Sequence, residues 1–305
     1  MVQPIDGKTA YLFRLKMNDT WFHHNVQNPN YVPSNVPVHV GLKTSMCRQS
    51  DLDDPRLGYW HKKYMSSYIL PGDDSVVIYH AKHWEIVYIL QSVFECGFMK
   101  SGARGVGFGV GGEPMGSVFV DAGCQVVLTD QPGDGGKWGA QHAKGLPPHH
   151  PDKCLKADWD RLASFRPVDM RKIPADLTGF DFCWSCCALE HLGSLEAGWN
   201  FVMRTLDCLK PGGVSVHTTA YNIESNDATF DKGPTVWYRK RDMETLRDRA
   251  KAAGHLLAEL DLDPGDGPLD RLIDGPPVYH NRPVLKLMMG PYLTTCIGLI
   301  IRKAV

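Results

Sequence analysis

The stretch Gly105-Val106-Gly107-Phe108-Gly109-Val110-Gly111-Gly112-Glu113-Pro114 constrains this chain more than any other. A short apolar run enters it, and residues 118–122 leave it as a helix that Gly123 can stop. Cys124-Gln125-Val126-Val127-Leu128-Thr129-Asp130 then reads as a strand ending in an acid. Residues 104–130 are therefore expected to form a strand–loop–helix–strand unit, which implies parallel strands and a right-handed crossover. Glycine is needed where backbone passes close to a ligand, and the start of the next helix offers unpaired N–H groups. A plain glycine turn is the structural alternative, and Gly107-x-Gly109-x-x-Gly112 also satisfies a dinucleotide fingerprint. Asp130 lies about twenty residues past the glycines, where an acid accepts hydrogen bonds from ribose hydroxyls. Its structural alternative is capping the turn Asp130-Gln131-Pro132-Gly133.

The alternation of strand and helix continues. Residues 80–99 carry apolar residues at helical spacing and end at Gly97. Phe180 to Cys187 reads as a strand, Ala197 to Cys208 as a helix, Lys210-Pro211-Gly212-Gly213 as a turn, and Val214 to Thr219 as a strand. Arg241 to Ala253 reads as a helix, and Val284–Met289 and Thr294–Arg302 as two strands joined through Gly290-Pro291. So short a connection forces an antiparallel pair. The expected fold is an α/β, Rossmann-like, doubly wound and mostly parallel sheet with an antiparallel C-terminal hairpin, spanning residues 80–305. Residues 1–79 form an expected N-terminal cap, irregular but too rich in aromatics for a disordered tail.

Three later features narrow the reading: Asp169 and Met170 in Pro167-Val168-Asp169-Met170-Arg171, where the third strand should end; Ala188-Leu189-Glu190-His191-Leu192-Gly193 after the fourth; and Leu209-Lys210-Pro211-Gly212-Gly213 before the fifth. With the terminal hairpin, this order resembles class I S-adenosylmethionine (SAM)-dependent methyltransferases over residues 80–303. The resemblance implies a glycine loop around the methionine part of SAM, an acid on the ribose and an acid on the adenine amino group. Those roles fall on Gly107, Gly109 and Gly111, on Asp130, and on Asp169 beside Met170. Gly105 stands where many such enzymes have an acid for the SAM amino group, and Glu85, early in the preceding helix, is the expected substitute. A narrower set includes Trp84-Glu85, Val216-His217-Thr218-Thr219 and Asp263-Pro264-Gly265-Asp266-Gly267-Pro268-Leu269-Asp270-Arg271. It resembles bacterial sugar O-methyltransferases of polysaccharide and glycolipid gene clusters.

A sugar hydroxyl is a poor nucleophile at neutral pH and needs a general base or a metal. Glu190 and His191 fall at the carboxyl end of the fourth strand, beside the expected methyl, and His217 at the matching end of the fifth. His191 is the expected base, with Glu190 and His217 as the other catalytic candidates. Mg²⁺ is the alternative activator, with Glu190, His191, His217 and the acids Asp261, Asp263 and Asp266 as possible ligands. Trp21, Tyr31 and Trp60 are candidate platforms for a sugar ring, or else anchors of the cap.

Composition bounds the partners. Across 305 residues the net charge is -1 and no basic run occurs, so a small-molecule or oligosaccharide acceptor is expected rather than nucleic acid. Apolar stretches fall short of a membrane span, and the start shows no signal peptide, so a cytoplasmic protein is expected. Nine cysteines, an odd number at irregular spacing, fit a reducing compartment. Cys183-x-x-Cys186 has no second pair at zinc-site spacing and reads as part of a buried strand. The competing functions are an N- or C-methyltransferase on another metabolite, a nicotinamide oxidoreductase and an inactive SAM-fold binding protein.

Overall fold

The computed structural model describes residues 25–27, 31–65, 76–133, 144–274 and 283–305. Its centre is a nine-stranded sheet. Seven strands carry the argument: β1 (Arg104–Phe108), β2 (Gln125–Asp130), β3 (Ala163–Pro167), β4 (Phe180–Cys186), β5 (Leu209–Asn222), β6 (Lys286–Met289) and β7 (Tyr292–Arg302). They lie in the order β3-β2-β1-β4-β5-β7-β6. The first five are parallel, and β7 runs antiparallel to both β5 and β6. Two-residue strands at Ile273–Asp274 and Leu256–Leu257 complete the sheet beside β6 and β7. The expected α/β architecture with its antiparallel terminal hairpin is therefore the observed one.

The strand order reverses direction between β1 and β4, which makes their carboxyl ends the switch point where open α/β sheets hold ligands. β4 is buried on both faces, as a central parallel strand must be when helices cover both sides. Helices α1 (Ala81–Glu95), α2 (Met115–Asp121), α3 (Lys156–Leu162), α4 (Leu195–Cys208) and α5 (Lys240–Ala252) provide that cover. His80 caps α1 by accepting the Lys82 N–H, and Ser194 caps α4 by accepting the Ala197 N–H at 3.1 Å. The residues expected to make a turn at 210–213 instead lie inside β5 as an irregularity, because Phe180 pairs with Leu209 while Phe182 pairs with Val214. Gly212, at φ 75°, supplies the left-handed residue this needs.

Residues 31–65 lie against α1 and share its core. The Trp60 indole donates to Gln91 and the Trp84 indole to Asp51, while Glu95 accepts the backbone N–H groups of Val40, Gly41 and Leu42. Tyr31 and Trp60 are buried in that core, so they anchor the segment and offer no sugar platform; Trp21 lies outside the described residues. Thr44–Ser45 pairs in parallel with Leu260–Asp261, and Met46 bridges to Ile297 of β7.

Candidate cofactor-binding and active site

The glycine loop leaves β1 at this switch point. Gly107 is a glycine because the Trp184 ring on β4 and Val110 occupy the space of a side chain. Gly107 thus packs closely against β4 at the base of the loop. Gly109 and Gly111 adopt φ 62° and 52°, in the left-handed region that glycine enters without penalty. The loop is stitched to β2: Val110 N–H donates to Thr129 O at 3.1 Å, and Gly111 N–H donates to Asp130 Oδ2 at 3.0 Å. Asp130 is buried and also accepts the Gln131 N–H through Oδ1 at 2.8 Å. The acid at the end of β2 thus fixes the loop whose conformation the glycines permit.

Three elements converge on Gly109. A Cβ there would stand 3.0 Å from Ala188 Cβ, after β4, and 3.2 Å from Met170 Sδ, after β3. Met170 is buried. Asp169 takes a two-pronged Arg171 guanidinium at 3.0 and 2.9 Å plus the Arg171 N–H. These Arg171 hydrogen bonds hold its carboxyl below the usual range. An adenine amino group at Asp169 would therefore compete with Arg171.

Glu85, 1% exposed, sits on α1 against the ends of β4, β5 and β7. Its Oε2 accepts from Lys82 Nζ, Cys186 Sγ and Thr218 Oγ1, each at 3.1 Å. Its Oε1 accepts from Cys187 Sγ at 3.1 Å and Cys296 Sγ at 2.6 Å. Burial opposes its charge, but Lys82 and the thiol donors outweigh burial and hold the carboxyl below its usual range. The residue the sequence nominated to meet the cofactor's amino group is thus fully engaged by protein. Glu113, at the end of the glycine loop, is the residue sequence reasoning passed over. Its Oε2 is buried with no partner. Burial pushes the carboxyl up to about 8, and Lys82 and Cys186 do not offset that. Its place in the loop string was the available signal; its burial was not.

Residues Leu189–His191 form one 3₁₀ turn after β4. Glu190 is buried and accepts from Thr219 Oγ1 at 3.0 Å. His191 is part-exposed, and its Nδ1 lies 3.0 Å from Pro234 O and 3.2 Å from Thr235 Oγ1. A carbonyl only accepts, so Nδ1 carries the hydrogen and the basic lone pair belongs to Nε2. His217 differs. It is 0% exposed and lies between Ser185 Oγ at 2.8 Å, Ser215 Oγ at 2.6 Å and the edge of Phe201 on α4. Burial lowers its pKa to about 3, so it is a neutral core residue out of reach of an acceptor, and its candidacy as the alternative base is corrected accordingly.

The expected Mg²⁺ ligands do not gather. Asp261 pairs with Arg48 at 3.0 Å, Asp263 caps the Gly265 N–H at 3.0 Å, and Glu190 and His217 are held as described. The only grouping of potential ligand atoms among the described residues is Glu85, Cys187 and Cys296. All nine cysteines are free, and Cys183 bonds Ser215 on the α4 face while Cys186 bonds Glu85 on the α1 face, so that pair cannot chelate. No helix among the described residues is long and apolar enough to cross a membrane.

No family model and no curated protein matches this chain. Among solved structures, a protein from Galdieria sulphuraria described as a sarcosine dimethylglycine methyltransferase has 15% identity and a TM-score of 0.46, covering 73% of this chain and 84% of that one. A SAM-dependent methyltransferase from Clostridium acetobutylicum has 11% identity and a TM-score of 0.42, covering 80% and 96%. Another from Methanosarcina mazei has 9% identity and a TM-score of 0.42, covering 70% and 97%. These scores all fall below one half.

Proposed function

We propose that the chain is a class I SAM-dependent O-methyltransferase acting on a hydroxyl of a saccharide or glycosylated small molecule. The observation that carries the cofactor reading is the convergence at the β1–β4 switch point. Asp130 locks a left-handed glycine loop there, Met170 and Ala188 close on Gly109, and the sheet ends in an antiparallel pair inserted beside β5. A Cβ on Gly112 would meet nothing within 4 Å, so the loop has open space on that side. The unpartnered Glu113 Oε2 fits an ammonium group, which a methionine moiety carries.

Bound SAM supplies a methyl group activated on a sulfonium. The chain's own part is to bind, orient and deprotonate. Asp130 lies at the strand end where ribose hydroxyls are held. Glu113 takes the amino group. His191 takes the acceptor's proton at Nε2, with Pro234 O holding the ring by Nδ1. Glu190, bonded to Thr219, steadies the turn that carries His191.

Calorimetric titration with S-adenosylhomocysteine and with NAD tests the class. Binding of the first without the second is expected; tight NAD binding alone would remove the proposal. Methyl transfer to a panel of sugar, amine and carbon acceptors then tests the acceptor class, where turnover confined to amines or carbon acids would overturn O-methylation.

A further inference from the structure

We propose that Glu85, Cys187 and Cys296 bind a soft divalent cation of the zinc type, through Glu85 Oε1 and the two sulfurs. Their ligand atoms lie within 4.8 Å of one another. Consecutive residues of a strand point to opposite faces, yet the Cys186 and Cys187 thiols both reach Glu85. The backbone makes this possible by a left-handed residue: Cys187, at φ 46°, is the one non-glycine residue with positive φ among those described. A side chain disfavours that conformation, so the fold sustains strain to turn this sulfur toward the carboxylate.

The two carboxylate oxygens have separate surroundings. Oε2 is held by Lys82, Thr218 and Cys186, which orient the group in the way outer-sphere donors orient a metal-binding carboxylate. Oε1 meets only the Cys187 and Cys296 thiols. Two sulfurs and one oxygen suit zinc and its soft relatives, and do not suit Mg²⁺. Binding moves one proton from each thiol to solvent, with no change of oxidation state. The two charges of the ion and the one of Lys82 then balance one carboxylate and two thiolates. Cys187 and Cys296 are both part-exposed, which gives an ion a way in. Three protein ligands leave a fourth position open to water or a substrate atom.

The test uses the full chain, stripped of metal with chelator and kept reduced with a phosphine. Co²⁺ serves as the spectroscopic probe, with Zn²⁺ in competition. One equivalent of Co²⁺ per chain is expected, with thiolate-to-cobalt charge-transfer absorption that Zn²⁺ removes. Affinity should fall about tenfold or more in Cys187→Ser and in Cys296→Ser, and stay unchanged in Cys208→Ser. Should the serine variants not fold, the wild-type chain still decides. Bound Zn²⁺ should slow alkylation of Cys187 and Cys296, mapped by peptide mass spectrometry, and leave Cys96 unaffected. Binding without the charge-transfer band, substoichiometric binding, or equal alkylation with and without Zn²⁺ would overturn the site. Neither cofactor nor acceptor enters the assay, so its outcome is independent of the methyl-transfer reading.

Discussion

Replacing Glu113 with Gln separates a binding role from a packing role at the glycine loop. In the free protein burial raises this carboxyl to about 8, so it is mostly protonated at neutral pH. An ammonium ligand needs the ionised form. Binding of S-adenosylhomocysteine should therefore release close to one proton per ligand at pH 6.5, and affinity should rise about tenfold per pH unit between pH 5.5 and 7.5. Glu113→Gln should lose both the proton release and the slope. Above the pH at which Glu113 ionises, the variant should bind about 10–100-fold more weakly, the loss of one charge-assisted hydrogen bond. Stability should move the other way. A carboxyl whose pKa is raised by folding favours the folded state at low pH, and that contribution is lost as pH rises from the usual carboxylate value of 4.5 toward 8. At about 1.4 kcal/mol per unit, tempered by the partial exposure of the residue, the wild type should lose on the order of 2–4 kcal/mol across that window. Glu113→Gln should lack this loss and melt higher at pH 8. Calorimetric titration in two buffers of different ionisation enthalpy reads the protons, and scanning calorimetry reads the stability. A variant that keeps the pH slope of binding, or melts lower than wild type at pH 8, would refute the reasoning.

Asp130→Ala removes the acceptor of the Gly111 N–H as well as the proposed ribose ligand, so cofactor affinity should fall by on the order of 2 kcal/mol in the same titration. Gly109→Val puts a branched side chain at φ 62° against Ala188 and Met170; binding should vanish while circular dichroism reports a folded chain. His191→Ala should lower kcat by roughly 10²–10⁴ with unchanged cofactor affinity; full activity would eliminate it as the base. His217→Ala should instead cost on the order of 2–4 kcal/mol of stability in denaturant titration, by opening a core cavity among Phe201, Ser185 and Ser215, and leave the shape of the pH–rate profile intact.

The features legible in the sequence are those that local chain physics imposes. Apolar periodicity, Gly97 and Gly123 as helix stops, and the short link between the last two strands sufficed for α1, β1, β2, β4, β5, α5 and the antiparallel hairpin, but not for α3, nor for the helices Gln49–Asp53 and Gly58–Met65 in a segment expected to be irregular. The helix after the glycine loop starts earlier than its apolar run, since Met115–Gly116–Ser117 pack beneath it with no polar signal to mark them. The sulfur and carboxylate cluster was not legible, because Glu85 and Cys296 are 211 positions apart and meet only after α1 docks across β7. His217 shows a subtler limit. Register pairs it with Ser185 and pairs Thr218 with Cys186, so neighbouring residues serve opposite faces of one strand. Alternation predicts that the two faces differ, but not that α4 covers one and α1 the other. The burial of Glu113 was hidden in the same way, since local sequence does not show what packs over the loop.

The position of β7 has a consequence for how the chain must be made. Residues 292–302 enter the interior of the sheet, between β5 and β6, and their backbone also receives Cys47 and bridges Met46. During synthesis Met46 and Cys47 emerge about 250 positions before β7, so their contacts with it form only after β1 to β5 have been made. Closure of the sheet and docking of residues 44–47 therefore belong to one late event, and a ribosome stalled before residue 290 would hold a parallel sheet with an open edge at β5. That edge is long, and its backbone N–H and C=O groups stay unpaired until the hairpin arrives.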